Sequence, residues 1–311
     1  MYLRRLLVVF TITVIAIYII GKYFDYRYEK RWNWLFFEKI DEAIKGKKDY
    51  DILFLGNSRI HTGINPYYVD SVTNLNSYNL AIGSGDEQEM KLLGSVYLQH
   101  HTPPKFVVLG LDKTLLVKHQ ILKERFAYLF YLKNDTICNL MSENGFPCRL
   151  IKAMPFLKYS FFDEYNRTSL FVGNGNIKSL FKHNYYRGFV NIFQDTLTDD
   201  ASPSPFNTFP VNININDSSL ATIRQLVEMF IVRKSQVIFV LPPLRPGDER
   251  EQAPAADSAY TNLARQYHIP IIRADKNEVF TRKYFVGKEH LTEPGSEIFS
   301  LLVADFIKLL N

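Results

Sequence analysis

Cysteine is scarce in this chain of 311 residues: there are two, Cys138 and Cys148. Two cysteines cannot build the multi-bridge framework that holds small secreted domains together. They form one small-loop disulfide in an oxidising compartment or remain two thiols, and their spacing does not decide between these. No Cys/His spacing suited to zinc occurs, so neither a metal nor a cofactor is expected. Lys and Arg are nowhere interleaved with aromatics in a block, which speaks against a nucleic-acid partner despite a formal net charge of +5. No internal repeat is present. With 47% hydrophobic and 22% charged residues, the composition excludes a disordered chain.

Leu6 to Ile20 is apolar and free of charge, with Arg4 and Arg5 before it and Gly-Lys-Tyr-Phe-Asp-Tyr-Arg-Tyr after it. The missing small-x-small cleavage site favours a retained signal anchor over a removed signal peptide. A spanning helix needs ~20 apolar residues. Leu3, Tyr23 and Phe24 extend the run, and Lys22 can snorkel towards headgroups. The two arginines in front are opposed by Lys22, Arg27, Lys30 and Arg31 behind, so the positive-inside count does not orient the chain. These charges favour anionic lipid. Residues 1–24 are assigned to the anchor, 25–49 to a juxtamembrane helix and linker, and 50–311 to the main domain. The juxtamembrane helix is predicted over Trp34 to Lys47, with Leu35, Phe36, Ile40, Ala43 and Ile44 on one face.

Five apolar segments in the main domain predict strands: Asp51–Leu55, Tyr78–Ile82, Phe106–Leu111, Gln236–Leu241 and Ile269–Ile272. Several are continuous rather than alternating runs, as suits strands buried on both faces of a parallel sheet. Helices are predicted over Asp86–Gln99, Leu220–Lys234, Ser258–Tyr267 and Pro294–Leu310. The alternation implies an α/β fold with a doubly wound, five-stranded parallel sheet. Residues 113–220 form an aromatic-rich insertion, too long for one structureless loop and expected to be a helical lid or subdomain. Within it, Val211–Ile215 alternates like a short strand.

The first predicted strand runs into Gly56-Asn57-Ser58-Arg59, which places a serine hydroxyl at the carboxyl end of the sheet, where open α/β sheets bind ligands. A serine there also serves as a simple helix cap. The second strand leads into Gly83-Ser84-Gly85, and the Gly83 N–H is a candidate oxyanion donor beside the Ser58 N–H. Tyr284 to Gly295 places His290 on a loop before the last helix, a suitable position for a general base. His61 is expected at the surface or behind the site. Arg245 and Arg187 are candidates for substrate binding, each set against an ordinary solvated arginine.

The order Gly-Asn-Ser-Arg, Tyr-Asn-Leu-Ala-Ile-Gly, then a late His-Leu before an amphipathic helix resembles the SGNH/GDSL hydrolases. It is most similar to their membrane-anchored branch, which includes proteins of teichoic acid D-alanylation and alginate O-acetylation. The resemblance covers residues 50–111 and 236–311. It implies a flavodoxin-like SGNH fold, with Ser58 as nucleophile, His290 as base, and Ser58 and Gly83 N–H groups as oxyanion donors. It further implies a single-pass inner-membrane protein whose catalytic domain lies outside the cytoplasm, in the periplasm of a Gram-negative host. The implied activity is that of a serine esterase or O-acyltransferase acting on a cell-envelope glycan through an acyl-serine, with a membrane-bound O-acyltransferase as a partner. Three positions depart from the family pattern. Asn57 replaces its Asp, Asp112 falls where a donor Asn is expected, and Gly287 falls where the acid precedes the histidine. Glu289 and Asp275 are the nearest alternative acids. The departures keep open a catalytically weak relative that binds a glycan or an acyltransferase partner, and the anchor keeps open a lipid esterase.

Overall fold

The computed structural model describes residues 2–28, 34–116, 122, 125–163, 185–191, 214–248, 253–287 and 289–311. In chain order the helices are α1 (Tyr2–Arg27), α2 (Trp34–Lys45), α3 (Ser58–His61), α4 (Pro66–Thr73), α5 (Glu87–His100), α6 (Arg125–Tyr128), α7 (Asp135–Glu143), α8 (Cys148–Ala153), α9 (Asp217–Val232), α10 (Pro254–Tyr267) and α11 (Glu293–Leu310). The strands are β1 (Ile52–Leu55), β2 (Ser77–Asn79), β3 (Phe106–Gly110), β4 (Tyr185–Tyr186), β5 (Phe189–Val190), β6 (Gln236–Leu241), β7 (Ile271–Arg273), β8 (Phe285–Val286) and β9 (His290–Leu291). The chain divides into two compact units, Met1–Glu38 with Glu124–Lys182, and Lys39–Lys123 with His183–Asn311.

The larger unit is built on a five-stranded sheet in the order β2-β1-β3-β6-β7, every pair parallel. This is the doubly wound sheet expected from the continuous apolar runs. Ile52, Phe54, Phe106, Val108, Ile238 and Val240 belong to one core cluster, together with Val69 of α4 and Phe299, Val303 and Ile307 of α11. Alternation along the strands sends the equally buried Leu53, Leu55, Val107, Leu109 and Phe239 to the opposite face. There α5 and α9 pack on each other. The β2 strand is shorter than predicted, yet its pairing to β1 continues, with Leu80 N–H donating to the Phe54 carbonyl (2.9 Å) and Ile82 N–H to the Gly56 carbonyl (3.1 Å). Two hairpins, β4–β5 and β8–β9, have no counterpart among the predicted strands; two-residue strands carry too little periodicity to be read. Most of the alternating Val211–Ile215 segment lies outside the described residues, and Asn214 and Ile215 are not in a strand.

The smaller unit joins α1 to part of the insertion, α6 to α8 and a 3-10 turn at Pro155–Phe161. Its centre is aromatic. Tyr28 stacks on Phe130 (ring centroids 5.4 Å apart), Phe37 meets both edge-on, and Phe162 packs on Tyr28 and Phe126. Such offset and edge geometries suit ring quadrupoles. Cys138 and Cys148 are buried free thiols, and burial raises the Cys148 thiol above its ordinary pKa.

Candidate active site

Ser58 opens the single helical turn α3 directly after β1. Asn57 caps that turn, its side-chain oxygen accepting the Arg59 N–H at 3.0 Å. As the first helical residue, Ser58 keeps an N–H that no intrahelical carbonyl can accept. The turn is held from three sides. Asn79, fully buried in β2, donates its amide to the Ile60 carbonyl (2.8 Å) and the Ile64 carbonyl (2.7 Å). Ser296 of α11 donates to the Gly63 carbonyl at 3.0 Å. Ile60 packs against Gly56 and Gly110, where an added Cβ would collide with it.

His290 enters from the last hairpin, paired through its backbone to Val286. Its Nε2 lies 3.1 Å from Ser58 Oγ, across 232 positions of sequence. The two residues singled out at opposite ends of the domain therefore share one proton-transfer distance. The histidine sits on β9 rather than in the expected open loop. The hairpin is pinned by Thr292 N–H donating to the Tyr284 carbonyl (2.9 Å) and by Arg245 Nη1 donating to the Gly287 carbonyl (2.9 Å). Gly287 has φ +59°, in the left-handed region that favours glycine, which accounts for glycine at this position. The Arg245 guanidinium that was a candidate for substrate is thus engaged with the hairpin backbone.

Two of the remaining acids, Asp112 and Asp275, are engaged elsewhere. Asp112 Oδ2 accepts from Arg59 Nη1 at 2.5 Å, while its Oδ1 accepts from Thr114 N–H (2.8 Å) and Oγ1 (2.7 Å). With both oxygens accepting, one of them from a guanidinium, Asp112 does not match the donor Asn of the family pattern. Paired with Arg59, it also exerts little of the repulsion its charge would otherwise have. Arg59 continues to the Pro243 carbonyl, tying the ends of β1, β3 and β6 together. Asp275 is paired with Arg273 (2.9 Å) and Lys113 (3.3 Å), which removes it as the partner of His290. Glu289 precedes His290 in the hairpin turn and is partly exposed. Arg187, left-handed at φ +43°, forms an ion pair with Asp70 of α4 and so serves the β4–β5 turn.

The Gly83 N–H takes no hydrogen-bond partner among the described residues. The turn that carries it contains Ser84 at φ +62°, a conformation costing a non-glycine residue about 1–2 kcal/mol. His61 is not at the surface. It is buried, its Nδ1 lies 3.8 Å from where a Cβ on Gly83 would stand, and its Nε2 has no hydrogen-bond partner among the described residues. Burial, with help from the charges of Lys39 and His290, holds its pKa well below the ordinary value, so the ring is neutral. Buried Lys39 donates to the Ala81 carbonyl two residues before Gly83. Lys39 and Asn79 thus support the site without having been assigned a role there from sequence, and His61 takes the position behind the site that was one of its two expected places. Asn79 does lie within the Tyr-Asn-Leu-Ala-Ile-Gly block, which was the one available signal for it.

No family model matches the chain, and no curated protein matches it. Solved structures similar to it include a candidate platelet activating factor from Streptococcus pneumoniae, 10% identical, covering 94% of this chain and 99% of that one at a TM-score of 0.46. A candidate acylhydrolase from Bacteroides fragilis is 11% identical, covering 89% and 99% at 0.41. A GDSL-like lipase from Bacteroides thetaiotaomicron is 11% identical, covering 94% and 99% at 0.40. Likeness at this level leaves the chemistry of the site to be read from its own distances.

Proposed function

We propose that the chain is a membrane-anchored serine esterase or O-acyltransferase of SGNH type that acts on a cell-envelope glycan through an acyl-serine. The 3.1 Å contact between His290 Nε2 and Ser58 Oγ carries the reading. Ser58 Oγ attacks the acyl carbonyl carbon while His290 Nε2 takes the hydroxyl proton. The ester C–O bond breaks as the imidazolium returns that proton to the leaving oxygen. Water, or an acceptor hydroxyl, then repeats the sequence in reverse on the acyl-serine. Ser58 and Gly83 N–H groups receive the oxyanion. With Asp112 bound to Arg59, the third donor of the family pattern is absent, a deficit of about 3 kcal/mol in transition-state stabilisation.

The anchor reading rests on α1, which is long and apolar enough to cross a membrane, with none of its apolar window buried. An inner-membrane location with the catalytic unit outside the cytoplasm, a glycan substrate and a membrane-bound O-acyltransferase partner complete the proposal. A fluorophosphonate probe tests it: the probe labels the native chain at Ser58, and Ser58→Ala and His290→Gln abolish labelling while the fold persists. Native chain that stays unlabelled refutes the enzymatic reading. It would favour a glycan- or acyltransferase-binding relative, to which the ion-paired Asp112 and the glycine at position 287 already point.

A further inference from the structure

The C-terminal end of α1 is engaged by the 3-10 turn Pro155–Phe161. The Tyr159 hydroxyl reaches the Gly21 carbonyl (2.9 Å) and the Asp25 carboxylate. Lys158 Nζ lies 2.6 Å from the same carboxylate and 3.9 Å from the centre of the Phe130 ring. Phe24 meets Tyr159 edge-on. These contacts fix where the turn stands along α1.

That level corresponds to a bilayer surface. At 1.5 Å per residue, a hydrocarbon core of ~30 Å is crossed by roughly 20 residues. Counted from Leu6, the first residue past Arg4 and Arg5, such a span ends near Asp25, where the headgroups begin. The side chains of α1 mark the same boundary. Tyr18, Tyr23 and Tyr26 are exposed there, and Lys22 and Arg27 pair with the Tyr18 and Tyr23 rings. Tyrosines concentrate at this depth because one end of the ring is apolar and the other is wet.

The segment ending in this turn exposes Leu150, Met154, Phe156 and Phe161, at 46%, 39%, 42% and 37% respectively. Phe156 and Phe161 lie within three residues of Tyr159, or ~6 Å along a 3-10 axis. Arg149 and Lys152 are exposed in the same stretch. Apolar side chains beside basic ones, held at headgroup depth, are the composition of an interfacial membrane contact.

We infer that Cys148–Phe161 is a second membrane contact, with Leu150, Met154, Phe156 and Phe161 seated in the headgroup–acyl boundary of the bilayer that α1 crosses. The inference depends on α1 being the anchor. Full-length chain is reconstituted in phosphatidylcholine vesicles containing phosphatidylglycerol and a phospholipid with a diazirine near the glycerol end of its acyl chain. Adducts are mapped by peptide mass spectrometry after irradiation. Adducts are expected on α1 and on the 148–161 peptide, each at least tenfold above the unirradiated sample. A variant with serine at positions 150, 154, 156 and 161 is expected to lose the second set and keep the first. Labelled α1 with the 148–161 peptide at background overturns the inference and leaves the anchor standing. Unlabelled α1 removes both.

Discussion

Gly56 stands between β1 and Ser58, the proposed nucleophile, and replacing it with alanine tests how Ser58 is positioned. A Cβ at this residue would lie 2.5 Å from Ile60 Cγ1 and 2.9 Å from Ile60 Cβ. Carbon atoms settle at ~3.5–4.0 Å, so Ile60 must retreat by ~1 Å. A rotamer change relieves Cγ1 but not Cβ, which moves only with the backbone of α3. Ser58 lies on that same turn. Gly56 has no left-handed φ, so the perturbation is steric rather than conformational. Overpacking of this kind costs about 1–3 kcal/mol, and a shift of ~1 Å at a reacting group slows chemistry on the order of a hundredfold. Gly56→Ala is therefore expected to melt several degrees lower and to react with fluorophosphonate roughly a hundredfold more slowly. Ile60→Ala alone leaves a cavity costing about 2–5 kcal/mol. In the double variant the overlap with Cγ1 is gone and only the Cβ contact at position 60 remains, so the pair should be less destabilised than the sum of the singles by about 1 kcal/mol or more. Labelling at the native rate in Gly56→Ala, or strict additivity in the cycle, would refute the reasoning.

Asp112→Asn removes a carboxylate from a buried ion pair, and stranding Arg59 costs about 3–5 kcal/mol; calorimetry should show a lower Tm with no gain in labelling, whereas faster labelling at unchanged Tm would mean the side chain serves the oxyanion after all. His61 binds its proton more weakly folded than unfolded, so its contribution to stability is complete above about pH 6.5 and drains away as the pH falls below that value. Urea midpoints between pH 7.5 and 5 should fall less in His61→Leu than in the native chain, and parallel declines would remove the argument. Gly287→Asp places a Cβ in open space, in a left-handed conformation that aspartate tolerates. The variant is expected to fold and to label faster than the native chain, and an unchanged rate would mean that the carboxylate does not reach the imidazole.

The sheet was legible because each strand announces itself locally, as at Ile52–Leu55 and Val237–Leu241, where apolar runs are bounded by polar turns. Helix ends were legible to within a few residues, as for Asp86–Gln99 against the observed Glu87–His100. The Ser58 and His290 blocks were legible through their order along a doubly wound chain, since topology brings strand ends to one side. What remained hidden depends on pairs remote in sequence and free of any period. The Arg59–Asp112 pair spans 53 positions, and the Arg245 bond to the Gly287 carbonyl spans 42. His61 was left between the surface and a place behind the site because a histidine three places after a serine carries no signal of burial. Only the packing of α3 against the Gly83 turn reveals it.

The β8–β9 hairpin has two residues per strand, yet it delivers the imidazole. Although Phe285 and Leu291 reach into the core, a ribbon of that size is expected to open at a lower free energy than the whole sheet. Base and nucleophile can then part company while the scaffold stays intact, so reactivity at Ser58 should fade on warming or in mild urea well before the global transition. Amide exchange at Thr292, whose N–H donates to the Tyr284 carbonyl, would register that parting, with the strands under Ser58 still protected. His290 is then expected to leave first, with the Ser58 hydroxyl left behind on solid ground.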